Sequence, residues 1–483
     1  MLFNTLSYVV FLMLSVGLYW ALPPRGRLWL LLAVSILFYA LWRWEFVFLI
    51  SFSAFVDYYF SLKIHDERRE PWRKIWLTIS LSTNLALLLY FKYAYFLAGN
   101  VEQVGALVGQ DWRLDVGQII LPLGISFYTF LSISYTVDVY RRLLTPTRSV
   151  LLYLTYVMFW PHMIAGPILR ANELIPQLVQ KASFDAERFA EGVRKIVFGL
   201  FLKVGLADQI APYVNEAFAS DPGQLSALDV WTMAFAFGFQ IYFDFAAYSM
   251  IAIGSARLLG IHFPENFNWP YLATSPREFW RRWHITLSSW IRDYLYLPLS
   301  GAPFRDRSEG GLEVRVLRPD SARLTLALFL TWFLMGLWHG ANWTFALWGI
   351  WHAVFIWLYR TVSARNGALP LPIRALGGWA ITLAISMLGW IPFRARSLDD
   401  AFVLLGRVFD PTAYGALTFR ENFYLVTAVI FVSMVALHFA IRWSKTIESQ
   451  ALRHVVETGA LALAGFFVFI FLRPVEQFIY FQF

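Results

Sequence analysis

The sequence predicts an all-α, polytopic membrane protein. Three features point there: composition, the length of the apolar runs and the placement of basic residues. Of 483 residues, 58% are hydrophobic and only 15% charged. Mean hydropathy is +0.54, far too apolar for a soluble domain. Apolar runs approaching the ~20 residues that a helix needs to cross a bilayer recur from end to end. Lys and Arg gather in particular loops between them, the pattern of cytoplasmic membrane loops. One continuous membrane domain, residues 1–483, is expected.

The runs fall near 5–22, 28–42, 45–62, 75–98, 117–139, 150–169, 193–214, 228–254, 322–338, 343–361, 374–392, 422–442 and 458–472. They make roughly a dozen segments, some tilted or partial. The opening Met1-Leu-Phe-Asn-Thr-Leu6 has no basic region, and no small-x-small site follows the first run, so that run reads as a retained helix and not a cleaved signal. Arg25 and Arg27 follow the first run, Lys63, Arg68, Arg69, Arg73 and Lys74 the third, and Arg141, Arg142 and Arg148 the fifth. If each run crosses once, these loops share one side, and that side is cytoplasmic. The N-terminus then lies outside, with the acidic loop 99–117.

Pro and Gly interrupt two runs, at Leu121-Pro-Leu-Gly124 and at Trp160-Pro-His-Met-Ile-Ala-Gly-Pro167. Non-helical backbone at membrane depth must be buried in protein or line a cavity, so both read as re-entrant breaks. The stretch 301–320, rich in Arg, Gly and acids, reads as a solvated loop. No internal repeat is apparent, which argues against the paired halves of many transporters.

The chain has no cysteine. That excludes disulfides, a thiolate-held zinc or iron–sulfur site, and an acyl group carried on a thiol of this chain. The net charge of +8 fits basic loops facing an anionic leaflet. It does not point to nucleic acid, because the basic residues are scattered through short loops.

Chemistry concentrates in two stretches. In Thr331–Phe345, His339 stands between Gly336 and Gly340 at the end of an apolar run, with Trp332, Trp338 and Trp343 around it. Ionisable groups in the membrane are costly and tend to face a bundle interior or a wet cavity. The glycine spacing suits close approach of a second helix, and a glycine beside the ring also leaves room for a substrate. A packing histidine that bonds a neighbouring helix is the competing reading.

The second stretch runs from Arg277 to Pro298. Read as one helix, it sets Trp280, Trp283, Leu287, Trp290 and Tyr294 on an apolar stripe and His284, Ser288 and Arg292 on another face. It is too polar for an ordinary span and reads as interfacial or re-entrant. Arg277, Arg281, Arg282 and Arg292 suit the phosphate oxygens of an anionic donor, or simply snorkel to the interface. Asp244 lies mid-run with Gln240 and Tyr248 at helical spacing, either a functional acid or a structural partner of an arginine or a tyrosine hydroxyl. His162 and His352 are weaker candidates. No metal-ligand spacing, phosphate loop or nucleophile elbow occurs.

Taken together, the stretches IAGPI (164–168), QIYFDFAAYS (240–249), FPENFNWPY (263–271), SPREFWRRWHITLSSWIRDYLYLPL (275–299), MGLWHGANWTF (335–345), IPFRARS (391–397) and FIYFQF (478–483) resemble the membrane-bound O-acyltransferase family, in its bacterial alginate O-acetylation branch. The chain departs from the pattern at Met250, where an acid is common, and at Ser300-Gly301, where two glycines are.

The resemblance implies a helical bundle with re-entrant and interfacial helices around a central funnel, in the bacterial inner membrane. It implies transfer of an acetyl group from cytoplasmic acetyl-CoA toward an extracytoplasmic polysaccharide such as alginate, through a periplasmic or membrane partner. It implies His339 and His284 as the catalytic histidines, His339 the general base. A neutral imidazole can take the proton of a hydroxyl as it attacks a thioester. His284, Ser288 or Asn342 would orient the donor or polarise its carbonyl, and Arg281, Arg282, Arg292 and Asp244 would serve substrate binding. No cofactor beyond the acetyl-CoA substrate is expected. Transfer of D-alanine or another acyl group to a cell-wall polymer, and proton-coupled transport, are the alternative functions.

Overall fold

The computed structural model describes residues 3–164, 166–180, 182–301, 322–363, 371–444, 446, 449–471 and 479. Every regular element among them is helical. Among the described residues nine helices are long and apolar enough to cross a membrane. The chain is therefore a multi-pass membrane protein of all-α class, as its composition predicts.

The count falls below a dozen where proline and glycine cut a run. The run 117–139 yields only Ile125–Tyr140, and 150–169 only Val150–Met158 and Trp160–Met163. Elsewhere wider turns keep helices continuous: Leu89–Tyr93 joins its neighbours into the span Glu70–Leu107, and Phe201–Ala207 does so within Ala186–Ala219. The predicted solvated loop lies outside the described residues beyond Gly301, as does the terminal FIYFQF motif apart from Ile479.

The described residues cluster into two compact units, Met1–Val193 with Ala252–Pro264, and Arg194–Ile251 with Glu265–Phe304 and Glu313–Phe483. In the first, the helices Glu45–Asp66, Glu70–Leu88 and Ile125–Tyr140 enclose a polar knot. Asp57 is fully buried; its Oδ1 accepts from Ser80 Oγ at 2.5 Å and Asn84 Nδ2 at 2.8 Å. Ser53 Oγ in turn donates to Asn84 Oδ1 at 2.9 Å. Low dielectric makes such a network costly to leave half satisfied.

The two breaks of this unit pack on each other. Gly124 takes φ +74°, and a Cβ there would lie 2.5 Å from the carbonyl oxygen of Met163. Only glycine meets both demands. Freed backbone groups find side-chain partners: Tyr39 donates its hydroxyl hydrogen to Leu123 O at 2.8 Å, and the Trp160 N–H donates to Ser35 Oγ at 3.2 Å. His162 is buried there, with Nε2 3.0 Å from Tyr156 O.

The second unit holds the long helix Ala227–Leu258 through Ile251, and a tight hairpin of Ala322–His339 and Trp343–Ser363. The hairpin backbones touch. A Cβ at Gly336 would fall 2.2 Å from Phe345 O, and one at Gly349 would fall 2.1 Å from Trp332 O. The small-residue spacing around His339 thus does admit a second helix, the next one in the chain. The outer faces of Glu421–Ser444 and His454–Phe471 expose Leu425, Val429, Val432, Leu463, Phe466 and Phe469, as helices facing lipid do.

Candidate active site

His339 is the last residue of its helix, and the chain turns at Gly340–Asn342 before Trp343 begins the next. Its ring centroid lies 4.9 Å from Trp338, 4.9 Å from Trp348 and 5.5 Å from Phe393. Gly340 does not open a path to the ring, because a Cβ there would overlap the Phe345 ring at 2.1 Å. The expectation that this glycine leaves room for substrate is therefore corrected: the space holds a phenylalanine. Asn342 is exposed at the turn, and its Oδ1 accepts from Thr344 N at 3.0 Å, capping the following helix.

The stretch 277–298 is not one helix. It is cut at Trp283–His284 into Pro276–Arg282 and Ile285–Ile291, with His284 in the left-handed region at φ +40°. The cause lies outside the stretch. The Asn268 N–H donates to Arg282 O and the Ile285 N–H to Asn266 O, both at 2.9 Å, so the 266–268 loop takes up groups that a continuous helix would use. The predicted stacking of His284, Ser288 and Arg292 on one helical face is lost with the break. Ser288 spends its hydroxyl on Trp283 O at 3.2 Å, inside the bend.

At this bend His284 is fully buried, edge-on to Phe245 at 4.6 Å. Its Nδ1 lies 3.0 Å from Asn266 Oδ1. Burial pushes the imidazole down to about 3, so the ring is neutral near pH 7. From its neighbour Trp283 an aromatic wall leads to the other histidine. Trp283 lies 4.9 Å from Trp390, Trp390 lies 6.1 Å from Trp348, and Trp348 packs on the His339 ring. The second unit thus gathers both histidines about one apolar wall. His352 joins the same wall between Trp280 and Trp348, at 5.0 Å from each.

The arginines divide. Arg282 pairs with Glu278 at 2.6 Å and Arg292, itself exposed, with Asp293 at 2.7 Å, while Arg277 and Arg281 are also exposed. Asp244 stands in a buried ionic cluster: Lys203 Nζ is 2.8 Å from Asp244 Oδ1 and 2.8 Å from Asp208 Oδ1. Asp244 Oδ2 also accepts the Ile479 N–H at 2.7 Å. Asp244 thus pairs with a lysine, where an arginine or a tyrosine hydroxyl is the structural partner expected. Asn266, Ser249 and Thr286, which sit around His284, were not singled out by the sequence. The one signal for Asn266 was its place in FPENFNWPY.

The model of the membrane-bound O-acyltransferase family matches residues 77–310. The chain is 40% identical over 403 residues to the probable alginate O-acetylase AlgI of Azotobacter vinelandii, covering 83% of this chain and 76% of that protein. It is 31% identical over 539 residues to the peptidoglycan O-acetyltransferase of Helicobacter pylori, covering 100% of this chain and 98% of the other. The chain belongs to the membrane-bound O-acyltransferase family. The enzyme is accordingly an O-acyltransferase, and the transporter alternative falls. A more distant likeness, 29% over 257 residues, links 51% of the acyltransferase to 61% of the teichoic acid D-alanyltransferase of Bacillus subtilis.

Proposed function

We propose that this acyltransferase takes an acetyl group from cytoplasmic acetyl-CoA and passes it across the bacterial inner membrane toward O-acetylation of an extracytoplasmic polysaccharide, by way of a periplasmic partner protein. The observation that carries this reading is the 40% identity to an alginate O-acetylase over 83% of the chain. The full-length likeness to a peptidoglycan O-acetyltransferase supports acetyl as the group and a polymer as the destination.

His339 and His284 are the imidazoles proposed to handle the proton. The acceptor hydroxyl gives its proton to an imidazole lone pair, the role assigned to His339, while its oxygen bonds to the thioester carbonyl carbon. The C–S bond breaks, and the thiolate takes the proton from the imidazolium and leaves as the thiol. The aromatic wall keeps water from competing for the donor. With no cysteine in the chain, acetyl cannot rest on a thiol of this protein. Arg277 and Arg281 are exposed cations available to donor phosphates near the bend.

Purified enzyme in inside-out proteoliposomes, given labelled acetyl-CoA outside and an alginate-like or peptidoglycan-like acceptor with its partner protein inside, tests the proposal. Label is expected in the acceptor. Transfer from D-alanyl-charged carrier protein but not from acetyl-CoA would overturn it in favour of D-alanylation.

A further inference from the structure

Three motifs of the sequence meet at the His284 bend, and only one supplies a histidine. Ser249 ends QIYFDFAAYS, Asn266 sits in FPENFNWPY, and His284 and Thr286 lie in the bend itself. All four are buried, none more than 6% exposed. The Thr286 backbone N–H lies 3.3 Å from Asn266 Oδ1. A backbone N–H can only donate, so the amide atom facing it must be the carbonyl oxygen. The Thr286 hydroxyl reaches the same oxygen at 3.0 Å, and the amide nitrogen Nδ2 is turned to Ser249 Oγ at 3.1 Å. With the amide orientation fixed, His284 Nδ1, 3.0 Å from that oxygen, must carry the hydrogen and donate it. A neutral ring has one N–H, so Nε2 holds the lone pair. That nitrogen is buried and meets no hydrogen-bond partner among the described residues.

We propose that Asn266 is a positioning residue, braced by Ser249 and Thr286, which locks His284 in the Nδ1–H tautomer so that its Nε2 lone pair serves the substrate. The inference rests on the proposed function of this site. It deepens that reading by limiting what His284 can do. Nε2 accepts a hydrogen bond from an N–H or O–H of the bound substrate and so holds it in place; it has no N–H with which to polarise the thioester carbonyl. The proton of the attacking hydroxyl goes to His339, as proposed above, and His284 acts by orienting the substrate. A buried lone pair left without a hydrogen costs free energy, which is why an orphaned Nε2 here reads as a place for a substrate hydrogen.

The test combines spectroscopy and kinetics on the full chain. Histidine labelled with nitrogen-15 gives eight ring pairs, and His284→Gln identifies the pair in question. A protonated Nδ1 and an unprotonated Nε2 are expected; a protonated Nε2 overturns the inference. Asn266→Asp keeps an acceptor for Nδ1–H and Thr286, with the Ser249 hydroxyl free to turn and donate. Asn266→Leu removes it. Single-turnover transfer is expected to fall about 10–100-fold in Asn266→Leu, in line with the loss of other histidine-orienting partners. Donor affinity should be unchanged, and Asn266→Asp should restore most of the rate. If both variants lose transfer in step with melting temperature, Asn266 merely holds the bend, and the positioning role is overturned. Wild-type transfer by His284→Gln would instead overturn the functional reading of His284 while leaving the observed tautomer intact.

Discussion

Replacing Lys203 with Met should destabilise the protein more than any single change to its acidic partners. Lys203 Nζ makes two contacts of 2.8 Å, to Asp208 and Asp244, and no side chain of the three is more than 4% exposed. At an effective dielectric of ~20, each contact represents about 6 kcal/mol of attraction, most of it offset by taking the ions out of water. The variant keeps the desolvation of two carboxylates and removes the cation that compensates it. Breaking a buried pair in this way costs about 3–5 kcal/mol. Asp208→Asn and Asp244→Asn each remove one contact and should cost less. Lys203→Met combined with both Asn changes removes all three charges of the cluster together and should recover more than half of the loss. Thermal melting of the purified protein in one detergent, across the five proteins, reads this directly. Lys203→Met melting with the wild type, or the triple variant melting below it, would refute the reasoning.

Four further outcomes are expected. Gly336→Ala and Gly349→Ala drive a methyl into the facing backbone at 2.2 and 2.1 Å and should each lower membrane yield and melting temperature by more than Gly17→Ala, which meets nothing within 4 Å. Arg281→Gln with Arg282→Gln should raise the KM for acetyl-CoA and weaken its salt dependence, read in a donor-binding assay; unchanged affinity returns both to interfacial anchoring. His339→Ala should lower single-turnover transfer per folded molecule by about 10²–10⁴-fold and lower stability as well, since Trp348 and Phe393 pack on the ring. Near-wild-type transfer would remove it from the chemistry. Finally, the cysteine-free chain allows single-cysteine labelling: Arg69→Cys should react only from the cytoplasmic side and Asn4→Cys from outside, and the reverse would invert the topology.

The all-α membrane class was legible because it rests on summed apolar length, to which every residue contributes. The breaks at Pro122–Gly124 and Pro161 were legible because proline and glycine act locally. What they pack against was not: Gly124 meets Met163 through a contact between segments some forty positions apart, and no local pattern encodes it. The misreading of 277–298 has the same origin. Its apolar stripe is a sound helical signal, but the competing hydrogen bonds come from Asn266 and Asn268, on a loop outside the stretch.

Glycine beside His339 shows why a residue type does not by itself give a role. A missing side chain makes room, and sequence does not say for what; here Phe345 from the next helix takes the space over Gly340. Access to His339 is therefore bounded by the wall of Trp338, Trp348 and Phe393. At His284 the limit is of another kind. Its bare Nε2 follows from the hydrogen bond that Nδ1 donates to Asn266, which follows no spacing rule relative to the histidine, yet that amide decides which ring nitrogen carries the hydrogen. Of the two histidines, then, sequence singled out His339 more sharply, while it is at His284 that the structure defines the protonation chemistry. The asymmetry follows from what each kind of information contains: identity and spacing in one, the direction of each hydrogen bond in the other.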